Sequence, residues 1–424
     1  MDVRISHLDS GLRIVSCRMP QVQSVSLGFW IGCGGRHEPD DLCGVSHFIE
    51  HLLFKGTARL SARDISEAVE GRGGYLNAFT QEESTCFYAK VASEYAWKVL
   101  GVLGEMYRHP RMAPSDVSKE RNVILDEIMM YRDEPEHLVE ELMGQSLWKA
   151  HPLGRPLTGT PETLRRLTRE RVAAFRNAHY IPAKTVFVLA GRIRHEDCRV
   201  QVEKAVGRIR PAPTPAISLV TDAVRQDPVA IREKKSEQAY LEIGVRLFGR
   251  RDERRHVLKI LSVILGENMS SRLFQVIREQ KGLAYSIQSS TQLFDETGAL
   301  IISAAVDQAD VPRAVALIAR EIRRLKTRRV REDELRRARE YTVGQLRLGL
   351  ESTSNQMSWA AESLLYFDRL IQPEETIAGL SAVSASDVLE LARDVFDVRR
   401  TSLVLVTSRV SERRRSEIQA GLEF

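Results

Sequence analysis

Cysteine is scarce in this sequence. Five occur in 424 residues, Cys17, Cys33, Cys43, Cys86 and Cys198; the number is odd and no CxxC pair exists. That argues against a disulfide framework and against a cysteine-rich structural zinc site, and it fits a reducing compartment. Long apolar runs are also missing. No stretch approaches the roughly 20 residues that a transmembrane helix needs, so no membrane partner is expected. The opening MDVRISHLDSGLRIVS has no basic segment followed by an apolar core, so no secretory signal is expected. The first strand begins almost at Met1 and leaves no room for a transit peptide; a cytoplasmic location is the expectation. Charge of one sign is lacking too. Lys+Arg is 62 against 57 Asp+Glu, a net of +5, too dilute to predict a nucleic-acid partner. The longest basic run, residues 320–340, interleaves Arg with Glu and Asp at helical spacing and reads as a solvated helix face.

What is present is a globular protein with 43% hydrophobic and 28% charged residues. Its length suggests roughly two to three domains at about 150 residues each. The strongest boundary signal is RPAPTPAIS (210–218), where three prolines within five residues fit neither a helix nor a central strand. The expected division is 1–212, a linker at 213–218, and 219–424.

The halves repeat a coarse order. The first has an N-terminal hairpin around Asp9-Ser10-Gly11, then an alternating strand SVSLGFWI (24–31). An apolar helix follows from about Gly44, then a helix near 62–71, a glycine corner, and the strands YLNAFT and TCFYAKV. The second has AYLEIGVRLF (239–248), helices near 254–265 and 271–280, Gly282, and the strands YSIQSSTQLF and ALIISAAV. A repeat of about 200 residues means two homologous domains rather than a solenoid. Strands in hairpin succession and helices in groups point to an α+β fold, with mostly antiparallel sheets covered by helices.

The sharpest motif is HFIEH (47–51). On a helix, His47 and His51 stand at i and i+4 and share a face. That spacing suits two nitrogen ligands on one zinc ion, with Glu50 placed to take a proton from a zinc-bound water. The competing reading is a pair of surface histidines on an amphipathic helix. Val45, Phe48, Ile49, Leu52, Leu53 and Phe54 oppose it, because they make the helix apolar nearly all round and leave the polar trio in need of partners. Phe29 and Trp30 read as core like Phe48 and Phe54. A hydrolytic zinc needs a third protein ligand and an open position. In the helix predicted over 115–131, Glu120 and Glu127 are seven apart and share a face, so Glu127 is a candidate ligand and Glu120 a supporting group. Paired acids on a helix face are also commonly just solvated.

HFIEH followed by LLFKGT, then GGYLNAFTQEESTCFY, ERNVILDEI, HPLGRPLTGT and SRLFQVIREQKGLAYS resembles the pitrilysin-type zinc metallopeptidases. The likeness runs nearly end to end and is to the short two-domain branch that includes mitochondrial processing peptidase. The resemblance implies one Zn2+ per chain on His47, His51 and Glu127, Glu50 as general base and Glu120 as supporting carboxylate. It implies a substrate-binding edge strand at Asn77, Ala78, Phe79 and Thr80, and an Arg278/Tyr285 pair acting on the substrate carbonyl and oxyanion. The second half has no HxxEH of its own; its corresponding helix holds His256 followed by VLKIL. With two domains per chain, the resemblance implies one bowl of a clam-shaped chamber. A homodimer would close it, with Arg278 and Tyr285 acting in trans on small or unfolded peptides. A non-catalytic partner subunit, or a peptide-binding module with structural zinc, remain the alternatives.

Overall fold

The alternating pattern at 24–31 becomes the central strand of a sheet, and the elements around it follow from the same polar and apolar logic. The structure is a computed structural model that describes residues 2–149, 151–207, 209, 212–221 and 229–422. Its strands are β1 Val3–His7, β2 Arg13–Arg18, β3 Ser24–Ile31, β4 Tyr75–Thr80, β5 Thr85–Ala92, β6 Thr185–Gly191, β7 Val229–Glu233, β8 Gln238–Phe248, β9 Ala284–Leu293, β10 Thr297–Asp307 and β11 Thr401–Thr407. The first helices are α1 Val45–Leu53, α2 Ala62–Val69, α3 Ala96–Arg108, α4 Pro114–Asp133 and α5 Pro135–Leu147.

Two sheets form, in the orders β1-β2-β6-β3-β5-β4 and β7-β11-β8-β10-β9. All neighbours are antiparallel except β2 with β6 and β7 with β11. The expected N-terminal hairpin is present, Val3 facing Cys17 and His7 facing Arg13. Helices cover both sheets, as an α+β fold requires.

In the first sheet one face buries Leu27, Phe29, Phe87 and Leu189 against Phe48, Ile49 and Leu52 of α1 and Leu103 and Met106 of α3. Its other face presents Val15, Trp30, Cys86 and Val188 to Met357, Ala360, Ala361 and Leu364 of the helix Thr353–Phe367. The second sheet buries Leu241, Ile243 and Ile302 on one face. On the other, Ala299, Ile301 and Val404 pack against Val139, Met143 and Leu147 of α5.

The compact units are therefore interleaved along the chain. One is Met1–Ile128, Arg155–Ser218 and Arg347–Pro373; the other is Met129–Gly154, Leu219–Leu346 and Glu374–Phe424. The division into two continuous halves at 213–218 leaves this exchange out. A helix that covers a distant sheet carries no local mark of which sheet it covers, since its periodicity encodes only that it has an apolar face. Residues 212–218 form neither helix nor strand, and Ser218 is held by its carbonyl, which accepts from Arg36 Nη2 at 2.8 Å. Arg210 and Pro211 of the boundary stretch lie outside the described residues. The helix expected at 271–280 differs in kind: Phe274–Gln280 is a π-helix, a rare form often found at functional sites.

Candidate metal centre

Two devices fix the start of α1. Gly44 sits at φ +92°, and a Cβ there would lie 2.7 Å from the Thr158 carbonyl oxygen and 2.8 Å from Gly159 Cα. Glycine is thus required both by conformation and by the close approach of the 158–159 turn. The buried carboxylate of Glu38 then accepts from Gly44 N and Ser46 N, both at 2.7 Å. It satisfies donors that a helix N-terminus leaves unpaired and opposes the positive end of the helix dipole.

With Val45, Phe48, Ile49, Leu52 and Leu53 fully buried, the helix has no freedom to turn, and His47, Glu50 and His51 emerge together. The two imidazole centroids are 4.6 Å apart. Glu127, on α4, brings Oε2 to 3.8 Å from His47 Nε2 and 3.7 Å from His51 Nε2. One donor atom from each of the three residues lies within 4.8 Å of the others, the one such cluster of metal-binding groups among the described residues. His47 Nδ1 and Glu127 Oε2 are buried with no hydrogen-bond partner. Burial, with His51 beside it, pushes the His47 imidazole down to about 4, which leaves the lone pair of one ring nitrogen available at neutral pH. Donors bound at about 2.0–2.2 Å to one ion must stand roughly 3–4 Å from each other. Two imidazoles and a carboxylate at these separations, with a buried oxygen left unbonded, fit zinc.

The groups behind the donors are unequal. Glu120 Oε2 lies 3.2 Å from His51 Nδ1, and a carboxylate only accepts, so Nδ1 is the donor and Nε2 is the nitrogen turned toward Glu127. Lys55 Nζ stands 2.7 Å from Glu120 Oε1. His47 has no comparable support.

Thr80 Oγ1 donates to Glu50 Oε2 at 2.5 Å. Burial raises the Glu50 carboxyl above its ordinary value, and the Thr80 bond opposes that rise. The segment Asn77–Thr80 belongs to β4, an edge of the first sheet. Within it Leu76 and Ala78 pack toward the core beneath α1. Asn77 is exposed, and its Oδ1 accepts from Ala78 N at 2.8 Å. Phe79 packs on the opposite face beside Tyr88. Thr80 thus holds the Glu50 carboxyl rather than merely lining the edge.

In the second unit Arg278 lies on the π-helix with its guanidinium 6.0 Å from the ring of Tyr285, the second residue of β9, whose side chain is 74% exposed. The structure brings these two residues together, as it does the zinc set. Sequence reasoning missed Lys55 and Glu38 and the bond from Thr80. Lys55 was visible as a cation one turn beyond His51; Glu38 lies six residues before Gly44, in a stretch with no periodic pattern to mark it.

Residues 13–161 match the family model described as Insulinase (Peptidase family M16), and residues 166–341 match the Peptidase M16 inactive domain. An uncharacterized zinc protease of Bacillus subtilis is 37% identical over 387 residues, 91% of this chain and 94% of that protein. One of Streptomyces coelicolor is 36% identical over 410 residues, 95% and 89% of the two chains. A protease from Helicobacter pylori, 20% identical, superposes with a TM-score of 0.88 over 96% of this chain and 99% of that one, and so shares the fold. Matched along both halves and related over nearly its whole length to proteins named as zinc proteases, the chain belongs to the M16 peptidase family.

Proposed function

We propose that the protein is a zinc endopeptidase that hydrolyses small or unfolded peptides, with one zinc per chain on His47, His51 and Glu127. The observation that carries this reading is the convergence of those three donors beside Glu50 on one rigid helix. Zinc, when bound, polarises the scissile carbonyl and lowers the pKa of a water toward neutrality. Glu50, its Oε2 anchored by Thr80, takes the proton on its other oxygen and returns it to the leaving amine. Burial, by raising the Glu50 carboxyl, makes it a stronger base for that step. The free edge of β4 pairs with the extended substrate backbone, which selects for unfolded chains more than for particular side chains. Asn77 holds a substrate amide through its own.

The working form is a homodimer. Arg278 of the partner subunit grips a substrate carbonyl, and Tyr285 of the partner subunit donates to the developing oxyanion. The exposure of Tyr285 and its place 6.0 Å from the Arg278 guanidinium support this. All five cysteines are buried thiols, which supports a reducing, cytoplasmic setting, and no helix among the described residues is long and apolar enough to cross a membrane.

The test is cleavage of a quenched-peptide library with and without a chelator, followed by mixing of two inactive variants. Chelation abolishes cleavage, and zinc restores it. Tyr285→Phe and Glu127→Ala subunits, mixed and allowed to exchange, regain activity because one supplies the metal site and the other the tyrosine. Zinc-loaded wild type that cuts no peptide would replace this reading with that of a non-catalytic partner subunit, and absent complementation would place the tyrosine in cis.

A further inference from the structure

We propose that Lys55 is a positioning residue of the metal centre, acting on zinc through Glu120 and His51; the inference rests on the zinc reading above. One carboxylate bridges the two side chains. Glu120 Oε1 lies 2.7 Å from Lys55 Nζ, and Glu120 Oε2 lies 3.2 Å from His51 Nδ1. The chain of contacts starts and ends on the same stretch: Lys55 follows His51 by four residues, just past the end of α1, while Glu120 comes from α4.

The physical need for Lys55 comes from the burial of Glu120. Its side chain is 6% exposed against 38% for Lys55, so this is not a pair of solvated charges of the kind that contributes little. A buried carboxylate left without a cation is strongly unfavourable, and His51, with its other ring nitrogen committed to the metal, offers it one hydrogen bond. Lys55 supplies the charge from the far oxygen, so that Oε2 stays aimed at His51 Nδ1. The lysine is itself fixed at its backbone: its N–H donates to Leu52 O at 3.2 Å, and its carbonyl accepts from Arg111 Nη2 at 2.8 Å. Arg111 in turn pairs with Asp116 near the start of α4 at 2.9 Å. Position 55 is thereby held against the helix that carries both Glu120 and Glu127.

The asymmetry of the site makes this arm matter. His47 Nδ1 is buried with no hydrogen-bond partner, so nothing behind His47 orients its ring except packing. Outer groups of this kind alter metal affinity by about 10–100-fold when removed. Among the described residues, the arm through His51, Glu120 and Lys55 is the one that fixes a ligand by hydrogen bonds.

Zinc affinity of metal-stripped protein, measured by competition with a chelating dye of known affinity, tests this. Lys55→Met weakens zinc binding by about 10–100-fold, and Lys55→Arg, which keeps the cation, stays within about threefold of wild type. Lys55→Gln gives the same comparison if the methionine variant cannot be purified. Lys55→Met also lowers the metal-free thermal midpoint, because it leaves the buried Glu120 without its cation, while Lys55→Arg does not; a merely structural lysine would lower that midpoint and leave zinc affinity unchanged. Zinc affinity of Lys55→Met within about threefold of wild type overturns the proposal, as does an equal loss in Lys55→Arg. Wild type that binds no zinc overturns the zinc reading itself, an outcome that the dye reports separately.

Discussion

The helices Val45–Leu53 and Arg255–Leu265 follow the central strands of two sheets whose strands run in matching order, β2-β6-β3-β5-β4 and β7-β11-β8-β10-β9, with the parallel pair at the same end. Each sheet then reaches its edge strand through a glycine of positive φ, Gly73 at +71° and Gly282 at +61°. Yet the polar groups of the two helices meet opposite fates. In the second, Ser262 bonds Ser289 Oγ at 3.2 Å, and Lys259 pairs with Glu267. His256 is pressed against Gly379, where a Cβ would lie 2.7 Å from its ring. In the first, His47 and Glu127 keep buried atoms without hydrogen-bond partners, and Glu50 is held by a single hydroxyl. The same architecture thus closes its polar groups on one another in one unit and leaves them open to an ion in the other. Within a shared strand order, the side chains on these two helices set the units apart.

The comparison breaks most sharply at the metal. Glu127→Ala reduces zinc content from one per chain to near zero and peptide hydrolysis by about 10³-fold or more, since a zinc site with two protein ligands is incomplete. His256→Ala leaves zinc content unchanged; elemental analysis of the purified proteins reads both. Thr80→Val tests whether the hydroxyl on Glu50 matters for catalysis: turnover falls by about tenfold with zinc content and KM unchanged, as expected when a general base loses its orientation.

The glycines sharpen the comparison through stability. Gly44→Ala costs about 2–5 kcal/mol, because the strain of positive φ adds to a clash with the 158–159 backbone. Gly282→Ala, at positive φ but with no atom within 4 Å of the new Cβ, costs about 1–2 kcal/mol. Denaturant titration of the two variants reads the difference; equal losses would mean that the close approach at Gly44 is not felt.

A pH-dependent effect belongs to the second unit alone. Glu242, on β8, is buried with Ser303 donating to Oε1 at 2.7 Å and Oε2 unbonded. Burial pushes its carboxyl up to about 7, against the Ser303 bond, with Glu140 and Glu136 adding repulsion. The folded protein therefore keeps this group protonated at pH values where the unfolded chain has lost the proton. Its contribution to stability is full below the ordinary carboxyl value and is lost as pH rises to about 7. Glu242→Gln keeps the acceptor for Ser303 and has no proton to lose. Relative to wild type it gains about 1–3 kcal/mol between pH 5 and pH 8, read as a thermal midpoint that diverges with pH; parallel curves would contradict this.

How much of this was legible depended on whether the information was local. HFIEH is a local pattern, and helical spacing alone placed His47, Glu50 and His51 on one face. The strands at 24–31 and 75–80 begin and end where alternation and the glycine corner put them. Glu127 and Glu120 had the right spacing on one helix, but only the likeness to a known family tied that helix to the histidines, because nothing in a helical period names the element it faces. The exchange of α5 and Thr353–Phe367 between sheets was invisible for the same reason. Lys55 and Glu38 were overlooked because a lone charged residue in a loop is ordinary in sequence and acquires meaning only from the buried group or helix end it meets.

In the proposed chemistry Glu50 acts on a water at a zinc held by His47, His51 and Glu127. Zinc stoichiometry and peptide hydrolysis measured on the same preparations of wild type and Glu50→Gln test it most directly. The account predicts one zinc per chain in both proteins, with hydrolysis in the variant lower by about 10²–10⁴-fold. A Glu50→Gln protein that keeps both its zinc and wild-type hydrolysis would contradict it.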